Sequence, residues 1–344
     1  MQILLAYYPC FTVPEGCGIL SEGRFLGLFL LMADSVSNDA SLQRISDYRP
    51  GPMYEQVSLQ LFGMQGHGKS SFINTCMNIV HGGAFTNVAG SGKSDKPITM
   101  ERKDYNLSSK VLITDNRGLG KMSPEEQEEM AAQMGHMRNH SAVKWDRSFR
   151  EKLDLIHQKY SDCSREIIVP VFVYSAESLL TKERYAEIES FIREAHRITD
   201  IYPIIVLTKV ATHRHMTADC YSNFKKIGAI NIFQVENYTV EIHEHNPETQ
   251  AEILRFLDTC LHQVDENVRR ASRDPKNEYM RHAMDQVYNI VKKESENTTE
   301  KFQNLEEKCK EAGEELKQTR KMYKDKEQEL REVRQRRKSR CSVM

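Results

Sequence analysis

Eight consecutive residues, Gly63-Met64-Gln65-Gly66-His67-Gly68-Lys69-Ser70, have the types and spacing best suited to chemistry. They fit G-x-x-x-x-G-K-[ST]. In that pattern glycines let backbone N–H groups close on phosphate oxygens, the lysine reaches the β- and γ-phosphates, and the hydroxyl binds Mg²⁺. Gly63, Gln65, Gly66, His67, Gly68, Lys69, Ser70 and the following Ser71 are therefore candidate nucleotide-binding residues. Lys69 is also a candidate catalytic charge, and Ser70 a candidate metal ligand.

A second constellation lies 45 residues after Ser70: Asp115-Asn116-Arg117-Gly118. An acid at the end of an apolar run, with glycine three residues on, suits a metal-holding carboxylate and an N–H that senses the γ-phosphate. Asp115 joins Ser70 as a metal candidate, and Gly118 joins the nucleotide set. Leu119 stands where many small GTPases carry a water-orienting glutamine, so hydrolysis would need another group. Arg117 and Gln65 are the candidates, with a solvated loop arginine as the alternative reading of Arg117. Between the two constellations, Ala89-Gly90-Ser91-Gly92-Lys93-Ser94 echoes the first motif, but Asn87 replaces its first glycine and no strand precedes it. The segment reads as a mobile switch loop, in which Ser94 or Thr99 would complete the metal shell when the γ-phosphate is present.

A third site is Thr208-Lys209-Val210-Ala211, where a GTPase would read guanine with [NT]-K-x-D. Thr208 and Lys209 fit, but Ala211 lacks the carboxylate that accepts from guanine N1 and N2. Loss of that acceptor costs on the order of 1.5–3 kcal/mol, about ten- to a hundredfold in affinity. GTP with Mg²⁺ remains the expected ligand pair, with base selectivity open between GTP and ATP.

Strands alternating with helices must position these residues. Apolar runs predict strands at 57–62, 110–114, 166–174, 203–208 and 231–235. Helical patterns fall at 70–79, 149–160, 182–197, 218–226 and 246–261. Ser123-Pro124-Glu125-Glu126 opens another helix with a capping box, whose Met130, Met134, Met137 stripe reads as core. The expected fold is a P-loop NTPase of GTPase type: a doubly wound, mostly parallel sheet with its site at the strands' carboxyl ends, followed by a C-terminal helical or coiled-coil tail.

The chain has 344 residues, a net charge of −1 and 39% hydrophobic residues. That allows one large α/β domain plus an appendage, and no whole-chain field selects nucleic acid. Eight cysteines occur singly, without zinc spacing, as expected of reduced thiols in a cytoplasmic protein. The scattered histidines read as surface residues. The apolar segment 25–33 is shorter than the roughly 18–20 residues a membrane span needs. The expected layout is an N-terminal extension and linker over 1–52, the GTPase-like domain over 53–264, a charged helical region over 265–340 and a terminal box over 341–344.

In the tail, Phe302, Leu305, Cys309, Ala312, Leu316, Thr319, Tyr323, Lys326, Leu330 and Val333 keep a heptad spacing. A weak coiled-coil dimer and a single helix docked on the domain explain this stripe equally well. Cys341-Ser342-Val343-Met344 is a C-a-a-X box whose terminal methionine favours farnesyl on Cys341. Five basic residues between 334 and 340 supply a second membrane signal.

Residues 63–74, Asp115 to Gly118 and the Leu-Thr-Lys strand end make the domain resemble the interferon-induced protein 44-like family of interferon-inducible GTPases. The resemblance covers about residues 55–262. The prenylated helical tail is similar to that of guanylate-binding proteins, although far shorter. The resemblance implies GTP binding, nucleotide-dependent assembly and a role in innate immune defence. Two functions are expected as alternatives. One is a GTPase with slow Mg²⁺-dependent turnover, peripherally anchored to membranes and self-associating through its GTPase domain or its coiled coil. The other is a pseudo-GTPase scaffold that recruits partners through the tail without turnover.

Overall fold

The computed structural model describes residues 38–90, 102–138, 147–159, 165–211, 214–241, 243–244, 246–270 and 275–341. Its centre is a sheet of six strands in the order β2-β3-β1-β4-β5-β6: β1 Gln56–Phe62, β2 Lys103–Asn106, β3 Val111–Asp115, β4 Glu166–Ser175, β5 Ile204–Thr208 and β6 Ile232–Val235. All neighbours are parallel except β2, which runs antiparallel to β3 at the edge. The five parallel strands fall where the apolar runs placed them, giving the doubly wound P-loop fold.

The helices are α1 (residues 38–47), α2 Lys69–His81, α3 Pro124–Met134, α4 Phe149–Lys159, α5 Lys182–Thr199, α6 Arg214–Lys226, α7 Pro247–Arg270 and α8 Pro275–Cys341. Alternation along each strand sorts side chains between two faces. Leu59, Leu61, Val171, Val173 and Val206 pack with Phe72 and Ile73 of α2 and Phe256 and Leu257 of α7. Phe62, Phe172, Tyr174, Ile205 and Leu207 pack on the other face with α3, α5 and α6. Strands covered on both faces must be apolar on both, which is why they read as continuous runs.

Two expectations need correction. Residues 38–47 are helical rather than linker: Ile45 is fully buried in the first core, and Arg44 pairs with Asp258 at 3.3 Å and Asp265 at 3.1 Å on α7. Helix α7 also continues past 264, with Val264 and Asn267 buried, because its apolar spacing runs through the charged residues. One compact unit contains the sheet and its helices through His282. A second contains residues 148–154 and the remainder of α8.

The capping box forms in full. Ser123 Oγ accepts from the Glu126 N–H at 3.4 Å, and the Glu126 carboxylate accepts from the Ser123 N–H at 3.1 Å. Glu126 also accepts from the N–H groups of Gly120 (2.7 Å) and Lys121 (3.1 Å), tying the loop after Gly118 to α3. Ser123→Ala should cost about 1 kcal/mol and Ser123→Asp much less. Denaturant melts of the two variants check this, and equal losses would remove the cap as the cause.

Candidate functional site

The conformation of the glycine loop at 63–70 is dictated by backbone geometry. Gly63 has φ +141°, and a Cβ there would lie 2.2 Å from the Val173 carbonyl oxygen on β4. Any side chain would push β1 off β4, so the first glycine of the motif is a packing requirement. Gly68, at φ +86°, precedes α2 without any side-chain cap. The opening N–H groups of α2 therefore remain available to an anion. Lys69, 6% exposed, folds back over the loop and donates to the carbonyls of Gly63 (3.0 Å) and Met64 (3.1 Å). Burial lowers its ammonium pKa to about 8, and the Asp115 carboxylate partly offsets this.

Asp115 ends β3, paired in register with Leu61 of β1. That pairing brings the two constellations together: Ser70 Oγ donates to Asp115 Oδ2 at 2.8 Å. The chain after Gly118 is stitched to the loop. The Leu119 N–H donates to Gly63 O at 3.1 Å, and the Gln65 N–H donates to Leu119 O at 3.0 Å. Leu119 is 1% exposed and belongs to the second core, so an apolar residue is required there for packing. A Cβ at Gly118 would sit 2.9 Å from the Gln65 Cα, which fixes glycine at that position too. Arg117 and Gln65 are half-buried on either side of this contact. Ser71 faces along α2, where its carbonyl accepts from Thr75 Oγ1 at 2.9 Å.

His67 has a different position from the rest of the loop set. Its Nδ1 accepts from the Ser175 N–H at 3.1 Å, and its Nε2 lies 3.2 Å from Ser178 Oγ. Burial, reinforced by the charges of Lys69, Lys209 and Arg184, lowers its pKa to about 3, so the ring stays neutral. The His67 ring thus locks the loop to the end of β4. Thr208 Oγ1 donates to His67 O at 2.9 Å from the end of β5. Lys209 pairs with Glu177 at 2.8 Å.

The corner around Ala211 holds polar residues that lie outside the sequence motifs. Glu236 follows β6, whose last residue Val235 pairs with Thr208. Its carboxylate accepts from the Ala211 N–H at 2.8 Å. Asn237 Nδ2 donates to Gly68 O at 3.2 Å. An open cleft of about 700 Å³ runs beside Ala211, Arg214, Tyr221 and Glu236. The only sequence signal was position, since Glu236-Asn237-Tyr238 falls where a base-contacting loop belongs.

Ser94 and Thr99 lie outside the described residues, as do Ser342 to Met344 and segment 25–33. Before Ser94 the loop is anchored: Asn74 donates to Ala89 O at 2.9 Å and accepts from the Ala89 N–H at 2.8 Å. Ala89 is thus held to α2, and the expected switch loop from 91 onward lies outside the described residues. Helix α8 reaches Cys341. Among the described residues no group of three or more His, Cys, Asp or Glu side chains could hold a metal alone, and no helix is long and apolar enough to cross a membrane. Met130, Met134 and Met137 are all buried, as packing residues should be.

No protein-family model and no curated protein sequence matches the chain. Solved structures do resemble it. Toc33 of Arabidopsis thaliana, in complex with Mg²⁺ and GMPPNP, is 12% identical over 67% of this chain and 93% of that one, with a TM-score of 0.39. The same protein with GDP and Mg²⁺ gives 12% identity over 66% and 96%, with a TM-score of 0.36. Nucleolar GTP-binding protein 1 of Plasmodium falciparum gives 13% identity over 74% and 100%, with a TM-score of 0.31.

Proposed function

We propose that the chain binds GTP with Mg²⁺ and hydrolyses it slowly. The observation carrying this reading is the 2.8 Å contact between Ser70 and Asp115, at a loop whose helix N-terminus is uncapped. A hydroxyl and a buried carboxylate are hard oxygen donors, as Mg²⁺ requires, and too few to hold it without phosphate oxygens. Ser70, Asp115 through water, and Ser94 or Thr99 would hold the ion. Its chemistry would be to neutralise charge between the β- and γ-phosphates. Lys69 exchanges two carbonyl partners for phosphate oxygens, and the Gly118 N–H would sense the γ-phosphate. Glu236 supplies the carboxylate that Ala211 lacks, which favours guanine. Leu119 offers no group to orient water, so turnover rests on Arg117 or Gln65 and is slow. The alternative, a pseudo-GTPase scaffold, draws support from that same buried Leu119. Binding of GTP and ATP with and without Mg²⁺, followed by multiple-turnover assays, separates the readings. A Mg²⁺-dependent turnover excludes the scaffold, whereas absent nucleotide binding excludes the GTPase.

The composition of the tail supports a membrane-bound switch. A farnesyl on Cys341 and the basic residues between 334 and 340 act together, each charge near an anionic leaflet contributing about 1 kcal/mol. Cys341→Ser should release the protein from membranes at any ionic strength. Replacing the arginines with glutamine should leave the lipid but remove the salt dependence. Membrane fractionation reads both outcomes, and unchanged partitioning of Cys341→Ser ends the lipid-anchor reading. The resemblance to interferon-inducible GTPases supports nucleotide-switched assembly there in innate immune defence. Interferon treatment should raise the protein's abundance.

A further inference from the structure

We infer that α8 pairs with a second copy of this chain as a parallel, in-register coiled coil. The inference does not rest on the nucleotide site. Within the second compact unit, α8 presents an exposed, largely apolar stripe. Met284, Tyr288, Val291, Phe302, Leu305, Leu316 and Tyr323 are 47–73% exposed, and Cys309 is exposed among them. Isolated exposed hydrophobics are ordinary, but these fall in one heptad register. Tyr288, Ser295, Phe302, Cys309, Leu316 and Tyr323 occupy a. Met284, Val291, Thr298, Leu305, Ala312 and Thr319 occupy d. The register extends upstream of the stripe read from sequence, so it spans six heptads, from Met284 to Tyr323. Across the helix, Ala283, Gln286 and Ile290 are buried.

Charge selects both the occupant and its direction. In a parallel pair each g residue meets the e residue of the following heptad on its partner. Lys301 at g then meets Glu306 at e, and Glu315 at g meets Arg320 at e. The remaining combinations, Val287 with Lys292, Glu294 with Thr299, Lys308 with Gly313 and Met322 with Glu327, contain no like-charged pair. Of the six pairs, two are attractive and none is repulsive. Ser295 and Thr298 lie in mid-stripe. Polar a and d residues of this kind reduce affinity and fix alignment, because any slip sets them against apolar neighbours. The dimer is therefore expected to be specific in register and modest in strength.

Cys309 reports the geometry. At an a position it faces its own copy only when the helices are parallel and in register; in an antiparallel pair an a residue faces d residues. The full-length chain should sediment as a dimer. Copper–phenanthroline oxidation should give a cross-linked dimer with a Cys309–Cys309 peptide by mass spectrometry, absent in Cys309→Ser. Arg320→Glu converts two symmetric attractions into repulsions and should weaken the dimer about tenfold or more. The Glu315→Arg, Arg320→Glu double variant restores opposite charges and should restore dimerisation, which a merely misfolded tail would not do. A monomeric full-length chain, the stripe being covered by its own domain or another protein, overturns the inference. So does a dimer indifferent to Arg320→Glu, or one cross-linked only through cysteines other than Cys309.

Discussion

Lys69→Ala is expected to abolish measurable triphosphate binding, a loss of at least about a hundredfold, while the fold survives. The lysine is the one full positive charge inside the loop, held by two carbonyls at 3.0 and 3.1 Å. A charge-assisted contact to a desolvated phosphate is among the strong ones. With two phosphates engaged, a loss on the order of 3 kcal/mol follows, or about a hundredfold. Stability should change little, because removing a buried cation also removes the burial penalty that holds its pKa at about 8. The depressed pKa predicts a second observable. A polyanionic ligand must raise it, so binding takes up a proton once the free protein begins to lose one. Affinity should be flat below pH 8 and fall as pH rises above it. For the empty protein the sign is opposite: the unfolded chain keeps this proton to 10.5, so folding gains stability between about 8 and 10.5. Calorimetry in buffers of different ionisation enthalpy reads the proton uptake, and Lys69→Ala should lack it. Wild-type affinity in the variant would mean that the loop does not bind phosphate.

The chain shows plainly which of its features are legible in advance. The loop, β3 and their approach could be read because each rests on a local rule: glycine where φ is positive, apolar runs where a strand is covered twice. The capping box of α3 was equally local. Strand β2 was not legible, because Lys-Asp-Tyr-Asn has no apolar face. It pairs at the edge, where charged residues guard the open side of a sheet. Helix α1 looked like linker because only Ile45 and Tyr48 of its stretch are fully covered, and its other anchors are ion pairs to α7 some 214–221 residues away in sequence. The anchoring role of the His67 ring depends on Ser175 and Ser178, which the fold brings to it from β4 and beyond. Long-range partners of this kind leave no periodicity behind.

The corner around Ala211, proposed to read the base, is the sharpest case, and it leads to the second large effect: Glu236→Ala should lower the preference for GTP over ATP by about ten- to a hundredfold. By motif alone the site lacks its carboxylate at Ala211. In the fold, parallel pairing of β5 and β6 brings the residue after β6 beside the loop after β5, and Glu236 sits 2.8 Å from the Ala211 N–H. That contact sets a carboxylate directly beside position 211. Guanine offers N1–H and N2–H₂ donors, whereas adenine presents an acceptor at N1, so the same group attracts one base and repels the other. Losing a charged acceptor for two donors costs on the order of 1.5–3 kcal/mol for GTP and slightly favours ATP. Both Glu236 and the amide it holds are solvent-accessible, so stability should scarcely move. The converse change clarifies the assignment. Ala211→Asp in the native chain sets two carboxylates against each other and should gain little. In the Glu236→Ala background it should restore the GTP preference, because the lost group returns to the same place from the other strand. Competition titrations of GTP against ATP on the four proteins measure this cycle. If Glu236→Ala leaves the preference unchanged, or if Ala211→Asp improves it equally in both backgrounds, Glu236 does not read the base.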